Sequence, residues 1–395
     1  MTIRECPRPH VRVFTSSCRA DKQSATPASY YRGGTSRGVI FQRHHLPADQ
    51  SRWPRIFLQV MGSPDPHGRQ LDGFGAGVSS LSKICVVAPS EREDADVDYT
   101  FVGIGIENDE VDIAGNCGNM SAAIGPYAFN QRLLRDLNYA CDNMATVKIH
   151  NTNTGVIIKS CFPVADGEAQ TQGSFSVDGV SGLAAQTTLE FLRPSGSKTG
   201  RLLPTGNVID KIAGVDVSCI DAANPCVFVR AADLEINGTV LPNDFNKLPD
   251  ILRQLEDIRY NGAVAMGICK GGEPAPRTIP KVAIVSPSTN QTLLSGKQLE
   301  ASQHDLVVRF ISDTQPHRAI PLTGALCTAA AAKIKGSVVQ ECLGTEPVDQ
   351  GIVTIGHPSG RIAVTAVLDS EGDVESATVF RTARRIMEGQ VFWND

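Results

Sequence analysis

The stretch Gly115-Asn116-Cys117-Gly118-Asn119, followed by Met120-Ser121-Ala122-Ala123-Ile124, decides the expected fold of this chain. Before it, residues 110–113 alternate polar and apolar side chains, as a half-buried β-strand does. After it, small and apolar residues indicate a tightly packed helix, which we expect Pro126 to interrupt. Cys117 is therefore predicted to lie where a strand passes into the N-terminus of a helix.

This position would give the Cys117 thiol an electropositive environment. Unpaired backbone amides at a helix N-terminus favour an anion, so they lower the pKa of a thiol and can also bind a substrate carboxylate. The flanking glycines allow a ligand to approach the backbone closely. We predict a catalytic role for Cys117, with Asn116, Gly118 and Asn119 as substrate-binding residues. The alternative is a buried inert thiol, which is the expectation for most cysteines of this chain.

A second stretch repeats this design in the other half of the chain. Residues 317–324, which end in Leu322-Thr323-Gly324, run into the small-residue segment 325–333. Small residues on every side indicate a helix enclosed by sheet, because close approach on all sides leaves no room for bulk. One such helix in each half predicts two similar domains with facing helix N-termini. The candidate substrate-binding residues of this stretch are His317, Thr323 and Gly324.

A lysine at the start of an apolar strand is the second candidate for chemistry. A long loop rich in glycine and proline, residues 62–77, leads to Lys83, and the apolar strand begins directly after it. A lysine drawn into a partly buried site has a lowered pKa and can act as a base. We predict a catalytic role for Lys83 rather than the ordinary surface position of a lysine. The neighbouring candidates for substrate binding are Ser79, Ser80 and Ser82.

Three further polar turns contain residues that could contact an anionic ligand. The turn before the strand 39–41 carries Arg32, Thr35 and Ser36 around exposed amides, which could bind a carboxylate. The alternative for this turn is a hairpin with a solvated arginine. The other two turns contribute the candidates Thr205, Gly206, His357, Ser359 and Gly360.

The composition is that of an ordinary globular protein. The net charge of −5 and pI near 5.9 give no general attraction to nucleic acid or to an anionic membrane, and no apolar run approaches the ~20 residues of a membrane span. The eleven cysteines include no Cys-x-x-Cys pair. We therefore expect free thiols in a reducing compartment, without a zinc site or a disulfide framework. We expect no metal and no other cofactor.

The chain is long enough for two domains, which we expect at residues 29–195 and 200–395 on either side of the Gly/Ser-rich stretch 194–200. The C-terminal strand is free to cross back to the first domain, and residues 378–393 are expected to form a strand or a short helix. Residues 1–28 are expected to be a tail. Its arginines, serines and threonines loosely resemble a transit peptide, so mitochondrial import is the alternative to the expected cytoplasmic location.

Six motifs together resemble a known enzyme family: Tyr-Arg-Gly-Gly-Thr-Ser (31–36), Met-Gly-Ser-Pro-Asp-Pro-His-Gly (61–68), Ser-Lys (82–83), Gly-Asn-Cys-Gly-Asn (115–119), Pro-Thr-Gly-Asn (204–207) and Gly-His-Pro-Ser-Gly (356–360). They match, in order, the 2-methylaconitate cis–trans isomerase family. That family also holds methylitaconate Δ-isomerase, 4-oxalomesaconate tautomerase and aconitate isomerases, within the diaminopimelate epimerase fold superfamily. The resemblance extends from about residue 28 to the C-terminus.

The resemblance implies an α+β fold of two pseudo-symmetric domains, each a β-barrel-like sheet around a central helix, with the site in the cleft between them. The lysine and cysteine of the family fall on Lys83 and Cys117. Diaminopimelate epimerases instead use two cysteines, one at each central helix. Here Cys327 is about one turn too late to lie at the tip of the second helix, which argues against racemisation by two thiols.

The expected function is a cofactor-independent isomerase that acts on a small unsaturated di- or tricarboxylate of the aconitate type by a 1,3-proton shift. Lys83 is expected to move the proton, and Cys117 to be the second acid/base or an orienting group. Which of the two takes the proton first stays open. The alternatives are a 4-oxalomesaconate-type tautomerase, an amino-acid epimerase of the same fold and a non-catalytic carboxylate-binding protein. The oligomeric state also stays open, with a homodimer as one alternative.

Overall fold

The computed structural model describes residues 23–135, 140–141, 143–312 and 315–394. They form a mixed α+β protein that is mostly sheet. Most of the segment expected to be a tail, together with the transit-peptide features in it, lies outside the described residues. The first strand begins at Ser24, inside the segment that we expected to be a tail, and its residues pair with the C-terminal strand.

The strands of the first half of the chain are β1 (Ser24–Gly33), β2 (Ser36–Gln42), β3 (Lys83–Pro89), β4 (Val97–Ile104), β5 (Val111–Asp112), β6 (Ala140–Cys141), β7 (Met144–Asn151), β8 (Ile157–Ala165), β9 (Glu168–Ala169) and β10 (Thr187–Leu192). Those of the second half are β11 (Asp210–Ile212), β12 (Val215–Asp221), β13 (Pro225–Arg230), β14 (Lys281–Pro287), β15 (Gln291–Thr292), β16 (Gln298–Leu299), β17 (Leu306–Ser312), β18 (Gln315–Pro316), β19 (Ile352–His357), β20 (Gly360–Leu368), β21 (Val374–Arg381) and β22 (Ala383–Trp393). The helices are α1 (Trp53–Met61), α2 (Gly118–Asn130), α3 (Pro242–Phe245), α4 (Pro249–Ala265), α5 (Leu322–Ala331) and α6 (Val338–Glu341).

The two halves repeat one pattern of strand pairing. In the first half the pairs β1–β2, β2–β3, β3–β4, β4–β7, β7–β8 and β8–β10 are antiparallel, parallel, antiparallel, parallel, antiparallel and antiparallel. The second half has the same series in β12–β13, β13–β14, β14–β17, β17–β19, β19–β20 and β20–β21. The short strands β5 and β18 each turn back before the helix of their half. The fold is therefore pseudo-symmetric, and β3 corresponds to β14 as α2 does to α5.

Both central helices are enclosed, as their small residues predict. Every residue of α5, and every residue of α2 except Asn130, is buried. Each helix packs against the strands of its own half, because alanine and glycine allow the sheet to approach on all sides. The expected interruption at Pro126 is wrong, since α2 continues through this proline to Asn130. The surrounding sheet holds the helix together where one backbone hydrogen bond is missing.

The last two strands connect the halves. β21 pairs with β20 of the second half and β10 of the first, and β22 pairs with β1 along its whole length. Residues 378–393, which we expect to form a strand or a short helix, are thus the end of β21 and the whole of β22. None of the described helices is both long and apolar enough to cross a bilayer.

The tight packing around α2 generates a stability prediction at Gly125. A Cβ atom on Gly125 would lie 2.4 Å from Ser160 Oγ and 3.0 Å from Phe162 Cε1. Gly125→Val should therefore cost about 1–3 kcal/mol through overpacking, despite the better helix propensity of valine. The measurement is the midpoint of urea unfolding. Gly271→Ala is the control, because a Cβ atom there meets nothing within 4 Å. Equal midpoints for the two variants would contradict the packing described.

Candidate active site

The N-termini of α2 and α5 meet at the centre of the molecule. A Cβ atom on Gly118 would lie 2.5 Å from Leu322 Cδ2 and 3.1 Å from Thr323 Cγ2, so only glycine allows this approach. The first backbone amides with a helical partner belong to Ser121 in α2 and Ala325 in α5. The amides that precede them in each first turn therefore face the junction, where an anion is favoured. This agrees with the expected facing helix N-termini.

Lys83 and Cys117 are in contact beside this junction. Lys83 Nζ lies 2.9 Å from Cys117 Sγ and 3.2 Å from Ser36 Oγ. The ammonium also lies 5.6 Å from the centre of the Phe101 ring, whose face favours a cation. Cys117 is the N-cap residue of α2, and Lys83 is the first residue of β3. The two candidates for chemistry, which are 34 residues apart in sequence, thus form one pair.

The electrostatics of the pair favour a thiolate on Cys117. Burial alone would raise the pKa of the Cys117 thiol, but the charge and hydrogen bond of Lys83, the Met120 amide and Ser36 together bring it below its ordinary value. The neighbouring thiol of Cys85 is a useful contrast, because burial raises its pKa far above the ordinary value. Burial, helped by the charge of Lys83, also lowers the pKa of His317 to about 3, so this histidine is neutral near pH 7.

Unpaired polar atoms surround the cleft beside the pair. Asn116 Nδ2, Asn119 Oδ1 and Thr278 Oγ1 are buried and have no hydrogen-bond partner among the described residues. All three side chains line the same cavity as Lys83 and Cys117. Because buried polar groups are normally satisfied, such a group of orphans indicates a position that a polar ligand or water occupies. The cleft is therefore built to receive polar groups between the two helix tips.

The cleft is narrow, and a wider cavity, called the mouth here, lies beside it. Its cavity measures ≈ 40 Å³, close to the volume of one water molecule. A neighbouring cavity of ≈ 660 Å³ lies between Thr35 and Ser80 of the first half and Ser359 of the second. His317 lines both cavities. Ser79 and Ser82 line the cleft, whereas Ser80 lines the mouth. The 79–82 turn and His317 therefore separate the cleft from the mouth.

The structure brings most of the sequence-predicted residues to these two cavities. The cleft is lined by Ser79, Ser82, Lys83, Asn116, Cys117, Gly118, Asn119, His317 and Thr323, and the mouth by Thr35, Ser80, His317 and Ser359. Ser36 contacts the pair through its hydroxyl. Apart from Ser36, the predicted residues that line neither cavity are Arg32, Thr205, Gly206, Gly324, His357 and Gly360.

Each of these residues has a different environment. Arg32 Nη1 donates to the backbone oxygens of Gly34 and Thr382, so this end of the guanidinium holds the turn and does not face the cleft. Thr205 donates to Asp210 and stabilises its own loop, which includes Gly206. His357 is buried behind His317, where burial and Arg381 hold its pKa well below the ordinary value.

Gly324 and Gly360 line neither cavity and pack against neighbouring side chains. Gly324 packs on the ring of Phe310 in the first turn of α5. Gly360 packs against Asp178, whose carboxylate accepts a hydrogen bond from the Arg361 amide.

Sequence reasoning missed several residues that line the cleft, of which Thr278 and Lys281 are the most polar. Lys281 opens β14 as Lys83 opens β3, and it is therefore the pseudo-symmetric counterpart of the catalytic candidate. Its Nζ donates to the Thr278 carbonyl, and both residues line the cleft. The signal was present, since Lys281 follows a proline-rich loop and precedes an apolar run, as Lys83 does. Phe101, Pro321 and Leu322 carried no such signal.

These features define a class of protein: two pseudo-symmetric halves, each with a sheet around a buried helix, and a lysine–cysteine pair where the helices meet. A family model described as "PrpF protein" matches residues 23–394. The chain belongs to this family, and it is an isomerase.

Its similarity to individual relatives covers nearly the whole chain. It is 38% identical to the 3-methylitaconate isomerase of Eubacterium barkeri (94% of this chain, 97% of the relative). It is also 38% identical to the 2-methyl-aconitate isomerase of Cupriavidus necator, with 93% and 97% covered. The crystal structure of methylitaconate-delta-isomerase matches with a TM-score of 0.76 at 38% identity, covering 95% of this chain and 97% of that one.

A more distant structure shows the fold alone. A hydroxyproline epimerase from Agrobacterium vitis matches with a TM-score of 0.55 at 12% identity, over 94% of this chain and 93% of that one. The expected epimerase-like α+β fold is confirmed.

The lysine–cysteine contact generates a prediction about thiol reactivity. Iodoacetamide should label Cys117 at lower pH than an ordinary thiol, because its depressed pKa keeps the thiolate populated there. In Lys83→Met the burial remains and the ammonium is lost, so the inflection of the labelling rate should move to higher pH. Peptide mass spectrometry resolves each cysteine, with Cys85 as the buried internal control and Lys211→Met as the matched surface variant. An unchanged inflection in Lys83→Met would refute the electrostatic coupling.

Proposed function

We propose that this isomerase moves a double bond in a small unsaturated tricarboxylate of the aconitate type by a 1,3-proton shift, without a cofactor. The observation that carries the proposal is the contact between Lys83 Nζ and Cys117 Sγ at the junction of two helix N-termini. The named activities of the relatives, on methylitaconate and methylaconitate, support the substrate class.

The difficult step of such a reaction is the formation of a carbanion. Removal of an allylic proton next to a carboxylate gives a dienolate, and protonation at its other end moves the double bond and can change cis geometry to trans. Free amides aimed at the developing negative charge lower this barrier, because they need no reorganisation during the reaction. The first turns of α2 and α5 supply such amides from both halves.

The pair can exist in two forms that hold the same number of protons. In one form Cys117 is a thiolate and Lys83 an ammonium; a proton moving across 2.9 Å converts them into a thiol and an amine. The amine can take the allylic proton and return it at the other end of the allyl system. Alternatively, the thiolate takes the proton and the ammonium returns one. We propose that Lys83 moves the proton, with Cys117 as its partner in the pair.

The carboxylates of the substrate require positive charge and donors beyond the pair. Lys281 is buried and lines the cleft on the side of the second half, so it is suited to a carboxylate distant from the reacting carbon. Asn116 Nδ2 and Thr278 Oγ1 provide hydrogen-bond donors that no described residue uses. Together they would fix the substrate with its allylic carbon beside Lys83.

Access to the pair requires movement, because a cavity of ≈ 40 Å³ does not hold a tricarboxylate. The wider mouth lies between residues of the two halves, which can separate there while β21 and β22 keep them joined. Closure over the substrate would exclude water from the carbanion. We propose that the substrate passes through this mouth.

The alternatives differ in what they require of the site. A 4-oxalomesaconate-type tautomerase would use the same pair on a keto–enol system. An amino-acid epimerase with two thiols is disfavoured, because Pro321 stands at the N-cap of α5 where α2 has Cys117, and Cys327 is buried against the Ile220 carbonyl. A non-catalytic carboxylate-binding protein is excluded by the isomerase assignment.

We propose the cytoplasm as the compartment, since the described cysteines are free thiols, as in reducing compartments. The mitochondrial alternative depends on residues 1–28, most of which lie outside the described part of the chain. A homodimer stays a prediction.

Substitution of Lys83 tests the proposed chemistry directly. Lys83→Met should lower kcat by roughly 10³-fold or more, because the proton-transfer group is lost while most of the methylene packing is kept. The measurement is NMR in heavy water with cis-aconitate, trans-aconitate, 2-methylaconitate and 4-oxalomesaconate, which follows isomerisation and deuterium uptake together. Lys211→Met, on the exposed surface, should behave like the wild type. Near-normal deuterium uptake by Lys83→Met would remove Lys83 from its role.

Substitution of Cys117 separates the two forms of the pair. Cys117→Ser should lower kcat by on the order of 10²-fold, because a hydroxyl hardly ionises near neutral pH, while the helix amides remain in place. The loss should be smaller than that of Lys83→Met if the amine moves the proton itself. A larger loss than for Lys83→Met would make the thiolate the base. Full activity would leave Cys117 with a structural role only.

A further inference from the structure

Two arginines stand side by side outside the cleft. In the antiparallel pairing of β1 with β22, Arg32 lies directly opposite Arg384. Directly opposed residues have Cβ atoms about 5 Å apart and their side chains on the same face, so two like charges there destabilise the sheet. The pKa of Arg32 reflects this repulsion: burial lowers the pKa most, and the charge of Arg384 lowers it further.

Among the described residues, no Asp or Glu forms an ion pair with Arg32 or Arg384. Both arginines line a polar cavity of ≈ 450 Å³, and no Asp or Glu is among the described residues that line it. The next residue, Arg385, provides a contrast, because it forms ion pairs with Glu168 and Glu388. Arg384 forms no ion pair within the described chain. Arg32 uses Nη1 for the backbone oxygens of Gly34 and Thr382, which fixes its guanidinium at the wall of the cavity.

The rest of the cavity wall is a polar segment. Residues 171–184 supply Thr171, Gln172 and Ser181, whose side chains can donate hydrogen bonds. The cavity is therefore cationic, polar and large enough for a small molecule. Arginine forks bind carboxylate and phosphate oxygens in pairs, which makes a multivalent oxyanion the ligand that best relieves the repulsion.

We propose that Arg32 and Arg384 form a second, non-catalytic site that binds a small multivalent oxyanion, a phosphate or a polycarboxylate. The site is separate from the cleft, since the two cavities share no lining residue. It is next to the mouth, since Val177, Val180 and Ser181 line both this cavity and the mouth.

The test is equilibrium binding of inorganic phosphate and of citrate to the full chain, by titration calorimetry. We expect Arg384→Gln to weaken phosphate binding by at least about tenfold, because one of two charge-assisted contacts is lost. Arg55→Gln, which removes an exposed arginine outside the cavity, is the matched control and should bind as the wild type does. If citrate displaces phosphate, polycarboxylates are ligands of the site. If phosphate binds and citrate does not displace it, the ligand is phosphate. Both results support the oxyanion site.

Two further measurements separate this site from the cleft and from a loss of folding. Phosphate should leave the iodoacetamide labelling of Cys117 unchanged, and it should raise the melting temperature of the wild type more than that of Arg384→Gln. In the absence of anions Arg384→Gln should melt no lower than the wild type, since a repulsion is removed. Equal phosphate affinity in Arg384→Gln and the wild type, protection of Cys117 by phosphate, or no binding of either anion would each overturn the proposal. Binding needs no turnover, so this outcome is independent of the isomerase proposal.

Discussion

The contact between Lys83 and Cys117 is the constraint on which the rest of the site depends. Burial disfavours a thiolate, and the Cys117 thiolate is tolerated because Lys83 Nζ lies 2.9 Å away. The thiolate gains further from its position as N-cap residue of α2, where free amides point towards it. These conditions require a helix that begins at Cys117 and a strand that begins at Lys83. They also require Gly38, because a Cβ atom there would lie 2.8 Å from the Lys83 carbonyl oxygen.

The pseudo-symmetry of the fold holds for the main series of paired strands and is broken in the site. Lys281 repeats Lys83 at the start of the corresponding strand, whereas Pro321 stands where the symmetry requires a second Cys117. A proline has no titratable group, so the symmetry does not repeat the thiol of Cys117 at the start of α5. The two halves therefore divide the work in our proposal. The first half moves the proton, and the second half contributes a cation and a helix N-terminus to hold the substrate.

The sequence predicted the parts of the site that depend on local pattern. Small residues after a glycine turn correctly indicated enclosed helices at α2 and α5, and the position of Cys117 followed from the strand before it. The contact of Lys83 with Cys117 could not be derived from spacing, because it depends on how β2, β3 and α2 pack. Arg32 was expected to face a ligand in the cleft, yet it lies on the strand face that points to Arg384. Which face an arginine takes depends on strand register, and one residue of shift reverses it.

The charge distribution explains how an acidic chain can attract a polyanion. With a net charge of −5, the protein as a whole repels a tricarboxylate, so attraction has to come from groups near the cleft. Lys83 and Lys281 line the cleft itself, and both helix N-termini end there. Arg381 lies close to Asn119, a lining residue of the cleft. Both side chains pack against Gly34, where a Cβ atom would lie 2.3 Å from Asn119 Oδ1 and 3.1 Å from Arg381 Cδ. Burial lowers the pKa of Arg381 to about 10, which still leaves it charged near neutral pH.

Because these cations are buried or half-buried, salt screens their field less than that of the surface charges. The local field can therefore dominate once the substrate reaches the mouth, and the acidic surface does not prevent binding.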